Sequence, residues 1–223
     1  MLKASKETWK RAIAASLFFL LMNVWFLICE RTILVPTYIV KHPFDNYIPF
    51  TPQFIIPYYL WYAYVSLPMV WLFFVSPNDF IKGMTFLGMV MFAACLIYAI
   101  APNGQRLRPH NLGDGFFERW VAFTYSVDSP NNVAPSLHVL DSIAIHAALL
   151  GCAKFRRSRV AVTVSTILCV ACSISTVFVK QHSFFDVMVS VPLGALIWFG
   201  IYGIPKIAHY RREHPRNDRR YRM

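Results

Sequence analysis

Two histidines 44 residues apart each stand where an apolar segment meets a loop. Pro135-Ser136-Leu137-His138 opens one hydrophobic run, and Lys180-Gln181-His182-Ser183-Phe184-Phe185-Asp186 joins two others. His182 and Asp186 are four residues apart, so on a helix they share a face. The carboxylate then accepts a hydrogen bond from one ring nitrogen, fixes the tautomer and leaves the other nitrogen nucleophilic. His138, two residues after Ser136, can lie across a phosphate and protonate a leaving alkoxide. The pairing suggests phosphorus chemistry at a membrane surface. A lone interfacial histidine is usually packing or a cap. A His-x-x-x-Asp, a second histidine and three nearby bases on one side are harder to account for in that way.

Those bases are Arg106, Arg108 and Lys180, each near a span end on the side where the positive-inside trend gives no reason for them. A phosphate is their natural partner, with interfacial snorkelling as the alternative reading. Asp141, three residues past His138, is a costly carboxylate in an apolar run unless paired or wetted. It is either a tuning partner of His138 or a cap or interhelical hydrogen bond, the two weighing about equally. His146, two turns deeper, reads as a helix-contact residue. The carboxylates Glu30, Asp45, Asp114, Glu118, Asp128 and Asp186 are scattered, so no metal and no cofactor are expected.

These residues need elements to hold them. The chain has 223 residues, 57% hydrophobic, with long stretches nearly free of charge, too many for one soluble core. Ala12–Cys29, Ile48–Val75, Gly83–Ala101, Leu137–Ala153, Val160–Val179 and Val187–Pro205 are each expected to span a membrane as a helix. The fold class is therefore all-α: a polytopic six-helix bundle over residues 1–205, followed by a basic tail over 206–223. Of the 22 Lys and Arg residues, 16 fall on the side of the amino terminus, Lys82, the Lys154–Arg159 loop and the tail, and 6 on the other, which predicts cytoplasmic termini. The net charge of +11 is then mostly topology, and no nucleic-acid partner is needed. The tail suits a disordered retention segment or contact with anionic head groups.

The five cysteines fall in or beside the spans and read as small core residues; Cys169 and Cys172 lack the neighbours a redox or metal site needs. Pro49, Pro52, Pro57 and Pro68 predict a kinked second span or an interfacial start to it. The connection from Pro102 to Pro135 is long, and Phe116 to Tyr125 suits a short interfacial helix roofing a site, or a packed connector.

At this point the residues resemble the type 2 phosphatidic acid phosphatase superfamily of integral membrane lipid phosphatases and phosphotransferases, whose signature reads K-x6-R-P, P-S-x-H and S-R-x5-H-x3-D. Arg108-Pro109 matches the end of the first part, Pro135-Ser136-Leu137-His138 the second, and Ser175 with His182 and Asp186 the third. The resemblance covers 102–187 and the six-helix layout. It implies that His182 attacks phosphorus to form a phosphohistidine, that Asp186 orients it, and that His138 protonates the leaving group. It also implies that Arg108 and Ser136 hold phosphoryl oxygens. The sequence departs from the pattern at Ala101 in place of the first-part Lys, at Leu137 in place of the usual Gly, and at Thr176 in place of the third-part Arg. Lys180 and Arg106 are the bases positioned to restore the missing charge. The Lys-Gln-His run with P-S-L-H resembles the branch containing inositol phosphorylceramide synthases.

The resulting expectation is a metal-independent lipid phosphatase, an integral multi-pass protein of a bacterial inner membrane acting on its extracytoplasmic face. A lipid phosphotransferase and a catalytically silent lipid-binding relative stand as alternatives. The partners are a lipid phosphate and membrane lipids, with oligomeric state left open.

Overall fold

The computed structural model describes residues 5–213. The arginine-rich end of the tail at 214–223 lies outside the described residues. Helix α1 runs from Lys6 to Thr32, capped by the Ser5 hydroxyl accepting from the Thr8 N–H. Helices α2 (Ile55–Val75) and α3 (Pro77–Ile100) are separated by Ser76 alone, with Pro at the first position of α3 where its missing N–H is harmless. Helix α4 is Phe116–Val127, α5 Leu137–Gly151, α6 the single turn Ala153–Arg156, and α7 Arg159–Phe178. Helix α8 (Phe184–Trp198) continues through a π-helical turn, Phe199–Gly203, into α9, Ile204–Glu213.

Five stretches are helical, long and apolar enough to cross a membrane: Lys6–Thr32, Pro52–Val75, Pro77–Ile100, Arg159–Phe178 and Phe184–His209. The expected fourth span, Leu137–Ala153, requires correction in length. Helix α5 ends at Gly151 after 15 residues, about 22 Å of rise against a hydrocarbon core of about 30 Å. Its burial explains how a short helix is accommodated. Leu140, Ala144, Ile145 and Ala148 are fully buried, and α2, α3, α7 and α8 all pack against α5. The second span also begins later than expected, because 48–51 is non-helical and Pro52–Phe54 forms a 3-10 turn before α2.

Helix α3 is the centre of the bundle. Phe86, Leu87, Val90, Ala94 and Cys95 are buried along it, and the Phe18 ring of α1 lies where a side chain at Gly88 would stand. Helix α1 exposes Leu17, Leu20, Leu21 and Val24 outward, the pattern of a helix facing lipid.

The loops that carry chemistry gather at one end of the bundle. A two-residue parallel pairing joins β1 (Tyr38–Ile39) to β2 (Asn103–Gly104), tying the α1–α2 connection to the α3–α4 connection. The Thr51 N–H donates to the Phe178 carbonyl at the end of α7, and the Gln105 amide donates to the Lys180 carbonyl. The α5–α7 junction sits at the other end, where Phe155 meets Trp71 and Lys82 lies over the Tyr202 ring.

Candidate active site

His182 lies in the five-residue link between α7 and α8. Its N–H and that of Gln181 both donate to the Thr176 carbonyl, folding the link back onto the last turn of α7. Lys180 adopts a left-handed backbone there, φ 56°, which a side chain with a Cβ takes only where the surroundings enforce it. The imidazole Nδ1 is 2.9 Å from the Val133 carbonyl and 3.0 Å from Asp186 Oδ2. Both neighbours are acceptors, so Nδ1 carries the proton and Nε2 is left with its lone pair. The Asp186 carboxylate is itself held by the Ser183 N–H at 3.0 Å, in a capping box that starts α8.

The loop ahead of α5 is clamped by Asn103. Its side-chain carbonyl accepts from the Val133 and Ala134 N–H groups, and its amide donates to the Ala134 carbonyl. The Tyr98 hydroxyl donates to the Pro135 carbonyl at 2.5 Å. Helix α5 then begins at Ser136 with no side-chain cap, which leaves its first-turn N–H groups open to an anionic ligand. The Ser136 hydroxyl is fully buried and has no hydrogen-bond partner among the described residues. The His138 ring is 5.8 Å from the His182 ring, edge to face, and is clasped between Tyr58 at 4.5 Å and Trp61 at 4.4 Å. Its Nε2 is buried and has no hydrogen-bond partner among the described residues.

Both histidines line a cavity of about 570 Å³, together with Tyr58, Asp128, Asp141 and Gln181. Helix α4 covers one side of it through Thr124 and Val127, with Trp120 against Tyr59. Asp141 lines the same cavity, but among the described residues no hydrogen bond joins it to His138, and its Oδ1 has no partner.

The three bases are disposed differently from one another. Arg108 stacks on the Tyr125 ring at 4.3 Å and donates to the Tyr125 and Asp128 carbonyls and to Gln181 Oε1. Three of its five N–H groups are thus committed to the protein, while its Nε is buried without a partner. Burial depresses the Arg108 guanidinium below its usual value, against the opposing charge of Asp128. The Lys180 ammonium donates to the Asp45 and Ile48 carbonyls, at 3.1 and 2.5 Å. Burial lowers it as well, with Asp45 opposing. Arg106 is exposed and does not line the cavity. Neither Lys180 nor Arg106 is among the described residues that line the cavity shared by the histidines. Thr176 and Ala101 leave no cation in their places.

Several contributors escaped the sequence reading. Asp45, 138 residues from Ser183, accepts from the Ser183 hydroxyl at 2.5 Å, from the Phe184 N–H at 2.7 Å and from the His42 N–H at 2.7 Å. It fastens the start of α8, and through it Asp186. Asn103 has the same function for the other histidine loop, and Gln181 bridges Arg108 to Asp128. No linear spacing signals Asp45 or Asn103; Gln181 was visible in the Lys-Gln-His run but passed as a neighbour.

Among the described residues no group of three or more His, Cys, Asp or Glu side chains is arranged to hold a metal. The family model for the PAP2 superfamily matches residues 82–209, more than half of the chain. No curated protein and no solved structure matches it.

Proposed function

The chain belongs to the PAP2 superfamily, whose members are generally phosphatases or phosphotransferases, and on that premise we propose that it is a lipid phosphatase working through a phosphohistidine. One observation carries the reading: His182 Nδ1 is pinned by two acceptors while the His138 ring faces it at 5.8 Å across a shared cavity. His182 Nε2 attacks phosphorus, the bond from phosphorus to the lipid oxygen breaks, and His138 gives that oxygen its proton. Water then attacks phosphorus and gives a proton to His138, the bond from phosphorus to His182 Nε2 breaks, and inorganic phosphate leaves with His182 restored. Ser136, the first-turn N–H groups of α5 and Arg108 through its free N–H groups are the candidates to hold phosphoryl oxygens. Asp141 acts from the cavity wall on the proton held by His138.

Sidedness follows from the bases. The end bearing Lys154, Arg156, Arg157 and Arg159 is cytoplasmic, both termini lie on that side, α5 completes the set of six spans, and the histidines work at the extracytoplasmic face. The substrate phosphate then sits at head-group level. A second reading, transfer of the phosphoryl group to a lipid alcohol, is favoured by Phe26, Leu27 and Met91 in the cavity wall, which give an apolar acceptor somewhere to lie.

The test is to incubate detergent-purified protein, with His182→Ala as control, with phosphatidate, phosphatidylglycerol phosphate, a prenyl pyrophosphate and sphingolipid and phosphoinositide substrates. Products are followed by mass spectrometry. Free phosphate released only by the wild type is expected. A new phosphorylated lipid without free phosphate makes it a transferase, and no product from any lipid leaves the silent lipid-binding relative.

A further inference from the structure

Helix α1 lies outside the residues matched by the family model, yet one of its side chains reaches towards the reacting histidine. Glu30 stands in the last turn of α1, half-buried. A carboxylate at the end of an apolar helix is costly unless its charge is used. Ser129 Oγ donates to both of its oxygens, at 3.0 and 3.1 Å, and Asn132 Nδ2 donates to Oε1 at 3.1 Å. These donors belong to one segment, the loop that leads from α4 to the start of α5. Glu30 lines the cavity, but both of its oxygens already accept from that loop. Asn132 is where the loop changes direction. Its backbone is left-handed, φ 54°, a conformation that asparagine tolerates better than most residues. Its N–H donates to the Asn103 carbonyl at 2.6 Å. The next carbonyl in the chain, that of Val133, is one of the two acceptors on His182 Nδ1.

We infer that Glu30 is a positioning residue for His182, holding Asn132 so that the Val133 carbonyl meets the imidazole at Nδ1. The inference rests on the phosphohistidine reading above and deepens it. Two carboxylates then stand behind the nucleophile, Asp186 in direct contact and Glu30 one loop removed. The need is geometric. The Nδ1 proton is shared between the Val133 carbonyl at 2.9 Å and Asp186 Oδ2 at 3.0 Å. Two acceptors fix the rotation of the ring as well as its tautomer, and so the direction in which Nε2 presents its lone pair. Asn103 holds the Val133–Ala134 peptide by its N–H edge, and Glu30 secures the residue before it from α1. Hydrogen bonds to an ionised acceptor are the stronger kind, which suits a turn that belongs to no helix. Glu30 exchanges no proton with the substrate; it sets the angle at which Nε2 approaches phosphorus. A displacement of about 1 Å at a reacting atom can cost about 10²-fold in rate.

The test reads the ring and the rate separately. Full-length protein in detergent is labelled with ¹⁵N in its seven histidines, and the His182 signal is identified as the one lost in His182→Ala. Without substrate the wild type is expected to show the Nδ1–H tautomer with a deshielded Nδ1 proton. Glu30→Ala should move that proton upfield and lower kcat by about 10²-fold with KM little changed. Glu30→Gln, whose Oε1 can still accept from Ser129 and Asn132, should recover part of both. Asn132→Gly keeps the left-handed backbone accessible and removes the amide, so it should reproduce the alanine variant. The double variant should lose little more than either single one, because both changes cut the same connection. A wild-type kcat in Glu30→Ala and Asn132→Gly, or a lowered kcat with an unmoved His182 signal, overturns the positioning role. Losses that multiply in the double variant overturn it as well. Asn132→Gly carries the test where Glu30→Ala does not fold. Lipid turnover that survives His182→Ala overturns the phosphohistidine reading instead, and the ring signal, recorded without substrate, still decides whether Glu30 sets the ring.

Discussion

At the level of single residues, the arrangement of His182 makes a sharp demand on Asp186. The carboxylate holds Nδ1–H together with the Val133 carbonyl, so Asp186→Asn presents an amide that can turn its NH₂ towards the ring and favour the wrong tautomer. Its kcat is expected to fall by about 10²- to 10⁴-fold, the range seen when the orienting carboxylate of a catalytic histidine is neutralised, with KM little changed. Steady-state kinetics on the preferred lipid checks this, and an unchanged kcat contradicts it. Lys180 makes a different prediction. Burial lowers its ammonium below the ordinary lysine value, so the folded chain releases that proton at a lower pH than the unfolded chain. The unfavourable contribution is complete below the folded value and is relieved as pH rises towards the unfolded value of about 10.4. Thermal stability of the wild type relative to Lys180→Met should therefore improve from neutral to alkaline pH; a flat difference contradicts the assignment. The four-residue spacing made the His182–Asp186 contact legible in sequence, but not its geometry: His182 lies in the link before α8 and meets the third residue of that helix, where the expectation put both on one helix face. Counting bases could not tell that Lys180 turns to the Asp45 and Ile48 carbonyls, because charge patterning carries no side-chain direction.

Among the elements, the start of α8 depends on a residue from a distant connection. Asp45, 4% exposed, accepts three hydrogen bonds from His42, Ser183 and Phe184. Asp45→Ala leaves the Phe184 N–H and the Ser183 hydroxyl buried without that acceptor, at a cost of about 1–3 kcal/mol. It is expected to lower the unfolding temperature in detergent and to lower kcat, because Asp186 is carried on the turn that loosens. Asp45→Asn should recover part of both, and full activity in the alanine variant contradicts this role. Hydropathy located the helices well, since an apolar run near 20 residues has few other uses. It overestimated α5: periodicity and composition are the same for a spanning helix and for a short one enclosed by four neighbours. Asp45 and Asn103 were illegible because their partners are set by tertiary packing, across 138 residues in the first case and about 30 in the second.

For the whole molecule, the loops that carry the histidines share one end, and the basic Lys154–Arg159 region lies at the other. A single cysteine introduced at Asn111, in a background with the five native cysteines replaced by alanine or serine, is expected to react with a membrane-impermeant maleimide in intact cells. One introduced at Ser158 should react only after permeabilisation. The reverse pattern inverts the proposed sidedness.

The central claim is covalent catalysis by His182, and trapping the intermediate tests it most directly. Protein turning over a lipid labelled with ³²P is quenched in alkali, where phosphohistidine survives, and the label is located by peptide mass spectrometry. The account predicts phosphate, bare or still esterified to its head group, on His182 in the wild type and no label in His182→Ala. Lipid turnover with no labelled histidine, or label in the His182→Ala variant, contradicts it.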